Sequence, residues 1–155
     1  MRKLPEPQAL GQLLTGLLGR NVKVKAVTKH PLPATQSVVA ARYAAEDGQL
    51  VVACVADLRL AAMAGAALTM VPVGIAKAGV EAGQLSDSLK DNFAEVLNIV
   101  AQLVTNAGHS RVLLQKMELT RPPLLPDLAT LLAGPRVDFD VTIEGYGAGS
   151  LTFAG

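Results

Sequence analysis

Tryptophan is absent, cysteine occurs once, and three Phe and two Tyr are all the aromatic side chains in this chain of 155 residues. The lone Cys54 excludes an internal disulfide. It sits in an apolar run with no His or Asp at a suggestive spacing after it, which points to a buried strand residue in a reducing compartment rather than to a reactive thiol. Charge is sparse as well: 17 % of residues are charged, the formal net charge is +1, and the basic residues are scattered. With no basic patch and few aromatics to stack on bases, the chain is not expected to bind nucleic acid. The longest apolar stretch, Val51 to Ala76, is broken by Asp57, Arg59 and Pro72, so it reads as a buried strand running into a helix and not as a membrane span. Met1 to Pro7 carries positive charge but no apolar segment or cleavage site behind it, so no secretory signal is expected and the location is expected to be cytoplasmic. His30 and His109 stand alone, and no metal-ligand cluster or phosphate-cradling glycine loop is seen, so no cofactor of its own is expected.

What is present is an apolar half, enough at this length for one ordinary domain spanning 1–155 with a sizeable core. Leu10, Leu13, Leu14, Leu17 and Leu18 recur at helical spacing and predict a helix over Gln8 to Leu18, stopped by Gly19. Val22 to Lys25 alternates like a half-buried strand and is followed by the punctuation His30-Pro31-Leu32-Pro33. Gln36 to Tyr43 and Gln49 to Ala56 read as strands joined by a turn at Glu46-Asp47-Gly48. Asp57 is placed to cap a helix from Leu58 to Met70, and Pro72 with Gly74 to Gly83 reads as a connection. A long helix is predicted from Ser86 to Asn106, closed by Gly108. A strand follows over Val112 to Leu119, then a rigid loop from Arg121 to Pro126 and a short helix or turn from Asp127 to Leu132. Val137, Phe139, Val141 and Ile143 alternate with polar residues as a strand. A Gly-rich turn at Gly145 to Gly149 leads to a last strand with Leu151 and Phe153.

Helix, three strands, two helices and three strands again make an α+β domain with helices packed on a mostly antiparallel sheet. The order hints at a pseudo-repeat of helix–three-strand halves, with no evident sequence identity between them.

Along the long helix, Leu89, Phe93, Val96, Leu97, Val100, Leu103 and Val104 fall on one side. Opposite, with Asp91 at zero, Glu95 lies about 40° to one side, and Asn98 and Gln102 each lie about 20° away at 100° per residue. Such a stripe of acids and amides is either ordinary solvated surface or a docking face. Asp91, three residues after Ser88, also fits an N-terminal capping box.

The run from Asp91 to Ala101 resembles the CheX/CheC/FliY family of response-regulator phosphatases. That family has an acid or Ser, then three residues, Glu, two residues and Asn on an exposed helix, with a Pro after the following strand. Asp91, Glu95 and Asn98 fill the polar places, Pro122 or Pro123 the last, and the element order is similar over nearly the whole chain, closest to CheX. The resemblance implies a CheC-like fold and hydrolysis of the aspartyl phosphate of a receiver domain. In that reaction Asn98 positions the water, Glu95 docks the receiver's lysine, and Mg²⁺ is carried by the receiver. It makes Asp91, Gln102, Pro122 and Pro123 partner-contacting residues. Gln102 departs from the pattern by standing where the family commonly has a small residue, and the interval from Asn98 to Pro122 is one residue longer than in CheC. Gln8 to Leu18 holds neither Glu nor Asn, so the resemblance implies one site per chain. A non-catalytic adaptor that binds a receiver, or a homodimer paired through the sheet, is the alternative.

Overall fold

The strands form because Val, Ala, Ile and Phe alternate with residues that tolerate the other sheet face, and the helices because leucine and alanine stripes need that sheet to cover them. The computed structural model describes residues 2–28, 32 and 35–155, so of the His30-Pro31-Leu32-Pro33 punctuation only Leu32 is described, and the expectation for His30 lies outside the described residues. The elements are α1 (Pro7–Leu18), β1 (Val22–Val27), β2 (Val38–Ala44), β3 (Leu50–Asp57), α2 (Leu58–Leu68), α3 (Val73–Glu81), α4 (Asp87–Gly108), β4 (Leu113–Thr120), α5 (Pro126–Ala133), β5 (Arg136–Ile143) and β6 (Gly147–Ala154). The strands make one six-stranded sheet in the order β1-β5-β6-β3-β2-β4, antiparallel at every pairing. This is the α+β architecture, with helices packed on an antiparallel sheet, that the element order predicts.

One face of the sheet carries the main core: Val39, Ala41 and Tyr43 of β2, Cys54 of β3 and Phe139 of β5 pack there against α1, α2 and α4. The other face carries α5, whose Leu128 and Leu132 cover Ala40, Ala53, Val38 and Val55. Arg42 of β2 pairs with Asp127 at the start of α5, and that hydrogen bond holds the Asp127 carboxyl below its usual range.

The two halves interlock. The β2–β3 hairpin belongs to the first half and β5–β6 to the second, yet β1 pairs with β5 and β4 with β2, so each half lends its first strand to the other's hairpin. A shift of 90 positions superposes the joints. Val22 N–H donates to Thr15 Oγ1 at 3.0 Å where α1 turns into β1, and Val112 N–H donates to Thr105 Oγ1 at 3.0 Å where α4 turns into β4. The sequence carries the same shift, in Gly11-Gln12-Leu13-Leu14-Thr15 against Ala101-Gln102-Leu103-Val104-Thr105. The pseudo-repeat therefore has a sequence signal after all, short and confined to the helix ends.

Three expectations need correcting. The segment Gly74 to Gly83 is no bare connection, because Val73–Glu81 is helical. Its glycines lower intrinsic helix propensity, but Ala76, fully buried, packs it on α2, and tertiary packing outweighs propensity in so short a helix. The glycine-rich turn is shorter than expected, since β6 begins at Gly147. A Cβ on Gly149 would lie 2.6 Å from Leu60 Cβ and 2.7 Å from Asp57 Oδ1, so glycine there lets the start of α2 press onto the strand. Gly108 ends α4 inside the helix, and the left-handed residue that follows is His109, φ 55°. The Arg2 guanidinium lies against Gly108, in the space that a Cβ would take. From there Arg2 Nη2 donates to the carbonyls of Val104 (2.9 Å) and Ser110 (2.6 Å), a cation on the negative end of the helix dipole.

Candidate functional site on the long helix

Ser86 starts α4, its hydroxyl accepting from Leu89 N–H at 3.2 Å. The N-cap is therefore two residues earlier than a box built on Ser88 requires, and Asp91 stands in the second turn with no capping duty. Leu89, Phe93, Val96, Leu97, Val100 and Val104 are buried. Asp91, Glu95, Asn98 and Gln102 are all exposed along the opposite side, as the periodicity predicts. Among the described residues, no hydrogen bond or ion pair engages any of these four side chains.

The helix that displays them is fixed from beneath. The Tyr43 hydroxyl donates to Leu97 O at 2.6 Å, one residue before Asn98, from a wholly buried ring. Burial pushes the Tyr43 phenol up, so it stays a donor. Asn92 Nδ2 donates to Gly65 O (2.9 Å) and to Thr69 Oγ1 (2.8 Å), clamping α4 to α2. At that crossing a Cβ on Gly65 would lie 2.6 Å from Leu89 O, so the glycine sets how closely the helices approach.

The stripe offers carboxylates and amides with no nucleophile among them. It can pair with a cation, and an amide can hold a water by accepting and donating at once. Among the described residues there is no group of three or more His, Cys, Asp or Glu that could hold a metal ion. No helix of the described residues is long and apolar enough to cross a membrane.

The prolines go elsewhere. Pro122 lies beyond β4 in the wall of a cavity of about 320 Å³ with Leu32, Val38, Val55, Leu124 and Leu132, on the α5 face of the sheet. Pro123 is exposed next to it. The structure thus brings Asp91, Glu95, Asn98 and Gln102 together on one helix and puts Pro122 on the opposite face of the sheet. The 90-position shift carries Asn98 onto exposed Gln8, Gln102 onto exposed Gln12, and Glu95 onto buried Pro5, so an acid stands in this place in only one half. One residue escaped the sequence reading: Met70, 78 % exposed at a left-handed backbone position beside Thr69. The sequence predicts a helix through Met70, whereas α2 ends at Leu68 and leaves Met70 beyond its cap.

Comparison with solved structures decides the fold. The chain has the fold of FliM middle domains, FliY and CheX. It covers 96 % of its length and 83 % of the FliM middle domain from H. pylori, at a TM-score of 0.65 and 11 % identity. Against FliY from Thermotoga maritima the figures are 93 % and 80 %, TM-score 0.57, 14 % identity. Against CheX in its complex with CheY, BeF3 and Mg²⁺ from Borrelia burgdorferi they are 95 % and 92 %, TM-score 0.55, 13 % identity. At such identities the likeness is one of fold. No protein-family model matches the sequence, and no curated protein matches it.

Proposed function

We propose that this chain binds the receiver domain of a response regulator through the outer face of α4 and hydrolyses its aspartyl phosphate. The observation that supports this best is the unengaged, solvent-facing row Asp91, Glu95, Asn98 on a helix anchored by Tyr43 and Asn92, in a fold that CheX also has. In this reading Glu95 pairs with a lysine of the receiver and fixes the approach of the two proteins, with Asp91 and Gln102 on its flanks. Asn98 reaches the phosphoaspartate and holds a water through its amide, in line with the bond to be broken. The water oxygen attacks phosphorus, the aspartate carboxylate leaves, and the water's proton passes to phosphate or solvent. The Mg²⁺ that steadies the charge is the receiver's. Catalysis by position alone is sufficient for phosphoryl transfer, where little covalent chemistry falls to the protein. Pro122 and Pro123, on the other side of the sheet, contribute to this reading only if the receiver reaches around β4.

The test is phosphate release from phosphorylated receiver domains of the same genome, comparing wild type with Glu95→Ala and Asn98→Ala. Wild type is expected to accelerate release and Asn98→Ala to abolish the acceleration while keeping binding. No acceleration with any receiver refutes the enzyme.

A second reading has one observation in its favour, the TM-score of 0.65 with a FliM middle domain. There the chain is a non-catalytic module that meets a receiver, or a second copy of itself, and binding leaves the receiver's phosphate lifetime unchanged.

A further inference from the structure

Helices α2 and α3 end in the same hydrogen-bonded turn. At α3, Gln84 N–H donates to Gly79 O (2.9 Å) and Gly83 N–H to Val80 O (3.0 Å), with Gly83 at φ 67°. At α2, Val71 N–H donates to Ala66 O (2.9 Å) and Met70 N–H to Ala67 O (3.3 Å), with Met70 at φ 59°. This turn puts one residue in the left-handed region, where glycine carries no penalty and a side chain does. Methionine therefore occupies its place at a cost, and the cost is not recovered inside the molecule, because Met70 is 78 % exposed. Ile75, in the first turn of α3 just beyond it, is 57 % exposed.

Met70 lies beside α4, and Ile75 follows it at the start of α3. Thr69, the neighbour of Met70, bonds to Asn92, and at 100° per residue Asn92 stands on the flank of α4 nearer Glu95 than Asn98. Asp87, Asp91 and Glu95 make the adjoining row acidic, with no cation in it. The surface is a row of anions and amides with Met70 at its edge and Ile75 beyond it in the next helix. A protein face with a cation beside apolar residues fits it, since interfaces set apolar anchors, methionine among them, within a polar surround.

We propose that Met70 and Ile75 are the apolar edge of the receiver-docking surface. The inference rests on the reading that α4 takes a receiver. Its strained backbone supplies an unusual test, because Met70→Gly deletes the side chain while giving the turn its preferred residue, and so cannot fail by unfolding. Purified receiver domains, each in its beryllofluoride–Mg²⁺ form, are titrated against wild type, Met70→Gly, Met70→Gly/Ile75→Ser and, as a control on the exposed side of α1, Gly16→Ala. A receiver is expected to bind wild type and Gly16→Ala alike. It is expected to bind Met70→Gly about tenfold more weakly and the double variant more weakly still, as for loss of an interface anchor, with the melting temperature of Met70→Gly at or above that of wild type. Equal binding by wild type and Met70→Gly overturns the inference and leaves the proposed function standing. If no receiver binds wild type, the proposed function falls and takes the inference with it.

Discussion

Tyr43 and Leu97 are joined across the core by a hydrogen bond of 2.6 Å, so that β2 in the centre of one hairpin holds the backbone of α4 at the residue preceding Asn98. Tyr43→Phe removes this bond and leaves the shape of the core intact. The expected loss is about 1 kcal/mol, or roughly 2–4 °C in melting temperature for a domain of this size, read by calorimetry. If α4 carries the chemistry proposed for it, the turnover number falls severalfold at temperatures where the variant is fully folded.

Two helical glycines are expected to respond to alanine with opposite signs. At Gly65 the new Cβ meets the Leu89 backbone at 2.6 Å, so α4 must move away. An overpacking cost of about 1–3 kcal/mol follows. At Gly16 the Cβ has nothing within 4 Å, and alanine gains about 0.5–1 kcal/mol from lower backbone entropy in the unfolded chain. Urea titration of both variants, with unchanged slopes, checks the pair.

His109→Gly is expected to stabilise the protein. The residue holds φ 55° after the last turn of α4, and its N–H donates to Thr105 O. Glycine adopts that backbone freely, for a gain of about 0.5–1 kcal/mol measured as a shift of the denaturation midpoint.

Asp57 links stability to pH. Its side chain caps α2 by accepting from Leu60 N–H at 2.8 Å, but burial raises its carboxyl above the ordinary 3.8, against the opposing hydrogen bonds from Leu60 and Ser150. A raised folded value means that the folded state holds the proton longer than the unfolded one. The Asp57 contribution is therefore fullest below pH 3.8 and declines as pH rises through the folded value. Asp57→Asn keeps a capping oxygen without the charge, so its stability relative to wild type is expected to improve as pH is raised from acid to neutral. Asp57→Ala loses the cap and about 1 kcal/mol. Thermal melts of the three proteins across that pH range separate the two effects.

The parts of the fold legible in sequence were those written in period and punctuation. The six strands, Asp57 as a cap and the two sides of α4 all follow from spacing and punctuation; of the core side expected for α4 only Leu103 is less than buried, and Ala101 is buried beside it. α3 was illegible because Gly74 and Gly79 argue against a helix that only its packing on α2 sustains. Gly108 and Gly149 were misread alike as turn glycines: Gly108 is the last residue of α4, and Gly149 stands in β6 where Leu60 leaves no room for a Cβ. The repeat showed in the element order alone; its identities went unseen because they are few and concentrated in Gln12-Leu13 and Thr15, whose partners lie 90 positions on. In the candidate site, periodicity gave the shared exposed face of Asp91, Glu95, Asn98 and Gln102. The placement of Pro122 under α5 depends on which way the chain turns after β4, and no spacing encodes that.

The exchange of first strands between the halves also governs the order in which the chain can be completed. Val22 meets Ile143, and Ala56 meets Leu151, so β1 and β3 each wait for a neighbour made some ninety or more positions later in the chain. During synthesis the β2–β3 hairpin is therefore open along β3, and β1 has no sheet to join, until β5 and β6 have emerged. Closing those long loops favours a slow, late and concerted step. Until then the nascent chain carries bare strand edges that are open to wrong pairing.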